Sequence, residues 1–400
     1  MEAMNESGGP LGHVRVVDLT TARSGPTCVR QLADFGAEVV QVRSPGHGDI
    51  AGSDSANLHR NKRSIVLDLK TPGGHEAFLR LIDQADVVVE NMRPSVKHRL
   101  GIDPETLWVR NPGLIYASLS GFGQVGAYAE RAGVDQIAQG MSGLMSVTGP
   151  AGQGPWRAGI AISDTISGTF LTQGVLAALI HRDRTGRGQW VHTSLLESCI
   201  NIMDFQACRW LTDGVVPAQE GNDHPTFFPM GCYRSSDGWV NIAGLKDLSA
   251  FVEVLGLDGV LDEPRFCTAE ARRANRGAFT DLCASQLVRH TTQHWVEACN
   301  ARSIPAGPVY AMDEVFADAH VQSLDLAVVV ERVDDAPAQV LRHPVTLTAT
   351  PATIRSGPPC PGAHTRVVLA ELGYGAAEID ALLATGAAAE ALGEGGGWLH

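Results

Sequence analysis

Apolar positions along this chain fall into two rhythms. Through the first 120 residues, short runs rich in β-branched residues alternate with segments of helical spacing. Val14–Leu19 (VRVVDL), Glu38–Val42 (EVVQV), Ser64–Leu69 (SIVLDL), Asp86–Glu90 (DVVVE) and Leu114–Leu119 (LIYASL) read as strands. Between them, Pro26–Phe35 has helix-like spacing, and Pro72–Gln84 reads as a helix with proline in its first turn. This alternation predicts an open, largely parallel α/β sheet. Residues 165–182 (TISGTFLTQGVLAALIHR) are apolar nearly all round and predict a buried helix. Trp190–Leu195 follows as a strand and Leu196–Leu211 as one long helix. From 212 to 229 the chain is irregular, broken by Gly214, Pro217, Gly221, Pro225 and Pro229. A second unit begins near Met230 with the strand pair CYRSSDGWVNIAG, which turns at Asp237-Gly238. Helices continue to about 320, and the tail returns to α/β character, with Ile379–Leu383 in a last short helix.

Composition narrows the classes. The 400 residues, 44% hydrophobic and 19% charged, suit a globular chain with a large core and two domains. No apolar run is long enough for a transmembrane helix. The start, MEAMNESGGPLG, lacks signal-peptide character and reads as a short disordered lead-in, as does the glycine-rich end at Gly395–Gly397. Eight scattered cysteines without C-x-x-C, and fourteen histidines without ligand spacing, predict reduced thiols in a cytoplasmic protein that binds no metal. A net charge of −13 argues against nucleic acid as partner; an anionic ligand would need a local basic cluster.

Two stretches carry candidate chemistry. Gly121, Gly123 and Gly126 in GFGQVGAY have the G-x-G-x-x-G spacing of a dinucleotide site. A strand precedes them, but the segment after them has no clean apolar period and contains Gly133, and the position is late in the chain. A nicotinamide or flavin site is therefore not expected. The second stretch is RAGIAISDTISGTF (157–170), where Asp164 stands between an apolar run and a long apolar helix, among small residues. It reads either as the N-cap of that helix or as an accessible carboxylate nucleophile.

The surroundings resemble a known family. VVDLTTARSGP (16–26), LADFGAEVVQV (32–42), NKRSIVLDLKTPGG (61–74), ADVVVENMRP (85–94), SLSGFGQVGAY (118–128) and MSGLMSVTG (141–149) are similar to segments of the class III CoA-transferases. So are AGIAISDTISG (158–168), RTGRGQWVHTSLLES (184–198), IPAGPVYAMDEVFAD (304–318) and GAHTRVVLAELGY (362–374). That group holds formyl-CoA and carnitine CoA-transferases and the α-methylacyl-CoA racemases. The segments follow the family's order over nearly the whole chain.

The resemblance implies that Asp164 is the catalytic carboxylate, which passes through a mixed anhydride and an aspartyl-CoA thioester. It implies no tightly bound cofactor, with CoA entering as part of the substrate. It places CoA contacts on Leu67, Lys70, Asn91, Met92, Arg99 and Leu100, with Lys70 and Arg99 as counter-charges for phosphates. Ordinary surface charge is the alternative for those two. An arginine that stacks on adenine in the family is displaced by one position here, so Arg43 is a substitute for that contact.

Racemases carry a histidine where this chain has Val134, before Asp135; valine carries no proton, which disfavours racemisation. Arg23 stands at a position that faces the active site in the family, and reads either as an anchor for a substrate carboxylate or as part of a structural ion pair. The glycine-rich lid of formyl-CoA transferases has no counterpart between 220 and 250, so oxalate and formyl-CoA are not favoured. The implied plan is a Rossmann-like large domain (1–205 and 323–400, the latter starting with a linker), a linker (206–227) and a small α+β domain (228–322). The family's interlocked homodimer is expected as well. A racemase-like isomerase and a non-catalytic CoA-binding protein are the competing functions.

Overall fold

The computed structural model describes residues 8–46, 52–244, 247–332 and 336–391. The termini expected to be disordered lie outside these residues, except for 8–12. That part of the lead-in is ordered: Leu11 is buried and its N–H donates to the Phe35 carbonyl at 2.9 Å.

The described chain divides into two compact units, one formed by 1–144, 157–215 and 325–400 and the other by 145–156 and 216–324. The first unit holds strands β1 (Arg15–Asp18), β2 (Glu38–Arg43), β3 (Lys62–Leu67), β4 (Val87–Glu90), β5 (Ile115–Ser120) and β6 (Trp190–Ser194). They form a parallel sheet in the order β3-β2-β1-β4-β5-β6, and a short C-terminal strand, Ala388–Ala389, pairs antiparallel with β3. Helices cover both faces. Val17, Val40, Ile65 and Val88 enter one core with Phe78 and Ile82, while Val16, Val39, Val87 and Val89 enter the other with Leu32, Leu171 and Val175. Burial on both faces is why these strands read as unbroken apolar runs rather than as alternating ones.

Two helix expectations change. Ile162–Thr185 forms one helix, but only one of its faces (Ser167, Leu171, Val175, Ala178) is buried; Ile180 on the other is 65% exposed. Apolar composition alone does not say which side faces a core. The expected Leu196–Leu211 helix is two, Leu195–Asn201 and Asp204–Asp213, because Asp204 adopts a positive φ of 44° that ends regular helical geometry.

In the second unit, β7 (Met230–Arg234) and β8 (Trp239–Ala243) form the expected antiparallel hairpin, and β9 (Ala306–Pro308) adds to β8. Helices pack on them around Phe251, Phe266, Phe279 and Trp295. None of the eight cysteines forms a disulfide. Among the described residues, no helix is long and apolar enough to cross a membrane.

Candidate active site

In a parallel sheet the strands' C-terminal ends face one edge, and a crevice opens where the strand order reverses. Here that point lies between β1 and β4. Buried Asp18, the last residue of β1, holds the following loop: its carboxylate accepts from Thr20 N–H at 2.9 Å and Thr20 hydroxyl at 2.6 Å, and pairs with buried Lys62 Nζ at 2.9 Å. Just past β4, Asn91 clamps the same loop, accepting from Thr21 N–H at 3.0 Å and donating to the Thr21 carbonyl at 2.8 Å. The loop ends with Ala22 at φ 61° and Arg23, which precedes the Ser24–Asp34 helix.

That helix packs against the helix Ile162–Thr185 at unusually close range. A Cβ at Gly168 would stand 2.5 Å from the Ser24 carbonyl and 2.8 Å from Thr27, so only glycine permits this approach. The crossing brings the Ser24 hydroxyl close to the carboxylate of Asp164, whose charged form it favours.

Asp164 lies in the first turn of its helix, where Ala161 is the N-cap and supplies no side-chain hydrogen bond. The capping reading is thus corrected, because another carboxylate does that work. Buried Asp135 accepts from Ser163 N–H at 3.0 Å and Ser163 hydroxyl at 2.8 Å through Oδ1. Its Oδ2 accepts from Gln139 at 2.8 Å and Arg157 at 2.9 Å. Asp135 therefore satisfies an orphan amide at the start of the Ile162–Thr185 helix from a different segment, leaving the Asp164 carboxylate uncommitted to capping. Burial, and secondarily the charge of Asp135, raise the Asp164 pKa to about 6; Arg23 and the Ser24 hydroxyl oppose the rise.

The glycines of GFGQVGAY have a different use from phosphate cradling. A Cβ on Gly133 would lie 2.7 Å from the Gly121 Cα, so the two ends of the 121–133 loop pass backbone against backbone. Gly123 and Gly126, both at φ 94°, shape the loop between. The chain emerges from this crossing at Val134, 61% exposed, and then at Asp135 in the Asp135–Met141 helix. No phosphate-cradling helix opens among these glycines.

The remaining candidates lie near the same sheet edge. Arg43 and Leu67 are the last residues of β2 and β3; Leu67 is fully buried, and Arg43 Nε donates to Gln41 Oε1 at 3.0 Å. Lys70 is exposed in the turn after β3. Met92 and Leu100 are half-buried and packed on the core, and Arg99 is exposed in the last turn of the Pro94–Leu100 helix. The Asn91 side chain is engaged with Thr21, which makes its place here that of a loop clamp. Arg23 forms an ion pair with Asp54, from the short Ser53–His59 helix.

Ser24, Asp54, Gln139, Arg157 and Ser163 were not singled out from the sequence. Each is an ordinary polar residue in its own segment, and only the fold brings them around Asp164 and Asp135. The one available signal was GP after ARS, a helix start beside the candidate loop.

Comparison with known proteins then gives four findings. The model of CoA-transferase family III matches residues 11–365. The succinate–glutarate CoA-transferase of Agrobacterium fabrum is 37% identical, over 91% of this chain and 96% of that protein. The succinyl-CoA–D-citramalate CoA-transferase of Chloroflexus aurantiacus is 33% identical, over 91% and 94%. Among solved structures, a CAIB/BAIF family protein from Brucella suis superposes with a TM-score of 0.82 and is 32% identical, covering 92% of this chain and all of that one.

Proposed function

The chain belongs to CoA-transferase family III, and from that premise we propose that it moves CoA from an acyl-CoA thioester to a free carboxylic acid, with Asp164 as covalent nucleophile. The observation that carries this reading is the state of Asp164: half-buried, freed from capping by Asp135, and of pKa about 6. At pH 7 such a carboxyl is still about 90% ionised, yet more basic and more nucleophilic than an ordinary aspartate.

The steps follow from charge balance. An Asp164 oxygen attacks the thioester carbonyl carbon, the C–S bond breaks, and CoA departs as thiolate, leaving the acyl group on Asp164 as a mixed anhydride. The thiolate attacks Cγ of Asp164, expelling the donor acid as carboxylate and leaving an aspartyl-CoA thioester. The acceptor carboxylate attacks that thioester, regenerating thiolate and a second anhydride. Attack of the thiolate on the acceptor's acyl carbon releases the new acyl-CoA and the Asp164 carboxylate. Every nucleophile is already an anion, so no step needs a general base. That requirement agrees with Val134, which carries no proton, and it disfavours the racemase alternative.

Lys70 and Arg99 supply positive charge for CoA phosphates at the sheet edge, Met92 and Leu100 apolar contact, and Arg43 a platform for adenine, whereas the side chain of Leu67 is fully buried in the core and offers CoA no contact. Asn91 fixes the loop against which CoA would lie. An interlocked homodimer belongs to the same proposal: Phe205, Trp210 and Leu211 of the Asp204–Asp213 helix are 44%, 56% and 79% exposed, as a partner-covered face requires. So does a cytoplasmic site of action, consistent with eight cysteines that form no disulfide.

The test is covalent trapping. After incubation with a panel of acyl-CoAs and cleavage by hydroxylamine or borohydride, mass spectrometry should find the modification on Asp164. Asp164→Ala should abolish both modification and CoA exchange. Exchange that persists in Asp164→Ala, or a panel that yields neither adduct nor exchange, would overturn the proposal.

A further inference from the structure

Arg23 is placed oddly for a purely structural cation. It is half-buried at the end of the loop that Asp18 and Asn91 hold, directly before the serine whose hydroxyl reaches Asp164. Its charge acts on Asp164 without forming an ion pair with it. Ala22, at φ 61°, holds the preceding backbone in a conformation that alanine rarely adopts, which fixes the direction in which Arg23 leaves the loop. Among the described residues its hydrogen-bonding engages one nitrogen, Nη2, with one oxygen of Asp54. A carboxylate binds a guanidinium bidentately through Nη2 together with either Nε or Nη1, so one that takes Arg23 in this way displaces Asp54 from Nη2.

The face around it carries surplus positive charge. Arg30, two turns further along the same helix, donates to Asn57 Oδ1 at 2.9 Å, a neutral partner, and its buried Nε has none among the described residues. Burial, and next the neighbouring Arg60, depress its pKa to about 10. Arg60 is balanced by Asp34, at 2.7 Å, and among the described residues Arg23 pairs with Asp54. The side chains of Arg23 and Asp54 are 31% and 40% exposed, so their pair is accessible and weakly held, unlike the fully buried pairs of Lys62 and Arg60.

We infer that Arg23 is the specificity-determining contact for the second carboxylate of a dicarboxylic substrate, with Asp54 holding the guanidinium in place until that carboxylate arrives. This rests on the reading of Asp164 as nucleophile: one carboxyl group of the acid reacts there while the other displaces Asp54 from Arg23. Asp54 is itself a carboxylate on a short helix, and so occupies Arg23 with the functional group that the substrate brings. It also competes for it, and removing its charge should strengthen substrate binding.

The experiment measures kcat/KM for glutarate and for pentanoate, acids of equal chain length, with succinyl-CoA as donor. Asp164 labelling is followed in parallel. The wild-type protein should prefer glutarate, Arg23→Leu should reduce the glutarate-to-pentanoate ratio at least tenfold through KM, and Arg23→Lys should restore part of it. Asp54→Asn should lower the KM for glutarate several-fold, and it keeps the inference testable if Arg23→Leu does not fold. A wild-type ratio near one, or a ratio unmoved in Arg23→Leu or Arg23→Lys, or a glutarate KM that rises in Asp54→Asn, would overturn the inference. If labelling of Asp164 proceeds in those cases, only the role of Arg23 falls. If neither acid exchanges and Asp164 is never labelled, the nucleophile reading falls with it.

Discussion

Asp164 is held in a way that should cost the folded state stability, and the cost can be worked out. Its pKa rises from the ordinary 3.8 to about 6, through burial first and the charge of Asp135 second. A carboxyl with a raised folded-state pKa binds its proton more tightly when folded, so the penalty appears as pH rises and the group must ionise in place. Below about pH 4 both states are protonated and there is no penalty. Above about pH 6 the full difference applies, roughly two pKa units or about 3 kcal/mol as a ceiling, reduced by the solvent that reaches a half-buried group. At pH 5 about half of it remains. Replacing Asp164 by asparagine keeps the side chain's size beside Ser24 but removes the charge. Asp164→Asn should therefore be more stable than the parent at pH 7.5, by about 1–3 kcal/mol, or on the order of 2–6 °C in melting temperature. The gain should shrink to about half at pH 5. Calorimetry or urea unfolding of both proteins at matched concentration at the two pH values measures it. A variant less stable than the parent at pH 7.5, or a gain that does not fall with pH, would refute the electrostatic account of the site.

Asp135→Asn removes the like charge next to Asp164, so the Asp164 pKa should fall and the acid limb of covalent labelling should move to lower pH. A limb that stays in place would show that burial alone sets it. Asp135→Ala, which leaves the buried Ser163 amide and hydroxyl without their acceptor, should destabilise by about 1–3 kcal/mol or more in urea unfolding. Gly133→Ala places a methyl 2.7 Å from the Gly121 backbone, where no flexible side chain can give way. It should cost about 1–3 kcal/mol and slow Asp164 labelling by displacing Asp135, whereas Gly126→Ala, with open space around its Cβ, meets no contact and should suffer only the strain of its φ of 94°.

The parallel α/β core was legible because its evidence is local. Runs such as VVV in β4 and the proline of the Pro72–Asp83 helix declare strand and helix through backbone sterics and burial on both faces. The hairpin at Asp237-Gly238 declared itself in the same way. Asp164 stood out because a carboxylate among small residues before a long helix is unusual in any local window. What the local window left open, or got wrong, had a tertiary cause in each case. Asp164 reads either as an N-cap or as a free carboxylate because nothing nearby in sequence reveals that Asp135, 29 positions earlier, caps the helix instead. GFGQVGAY has the glycine spacing of a dinucleotide loop, which the segment after it already argues against; the close packing of Gly121 on Gly133, the use the glycines do have, is not visible in the spacing. The 162–185 helix looked buried all round because composition does not record which face meets a core. By itself, the sequence determined the order of strands and helices and the residue types at the sheet's edge. The tertiary structure decided which carboxylate caps and which is left free to react. That division depends on hydrogen bonds, close backbone approach and desolvation between segments far apart in the chain, and these exist only once the chain has folded.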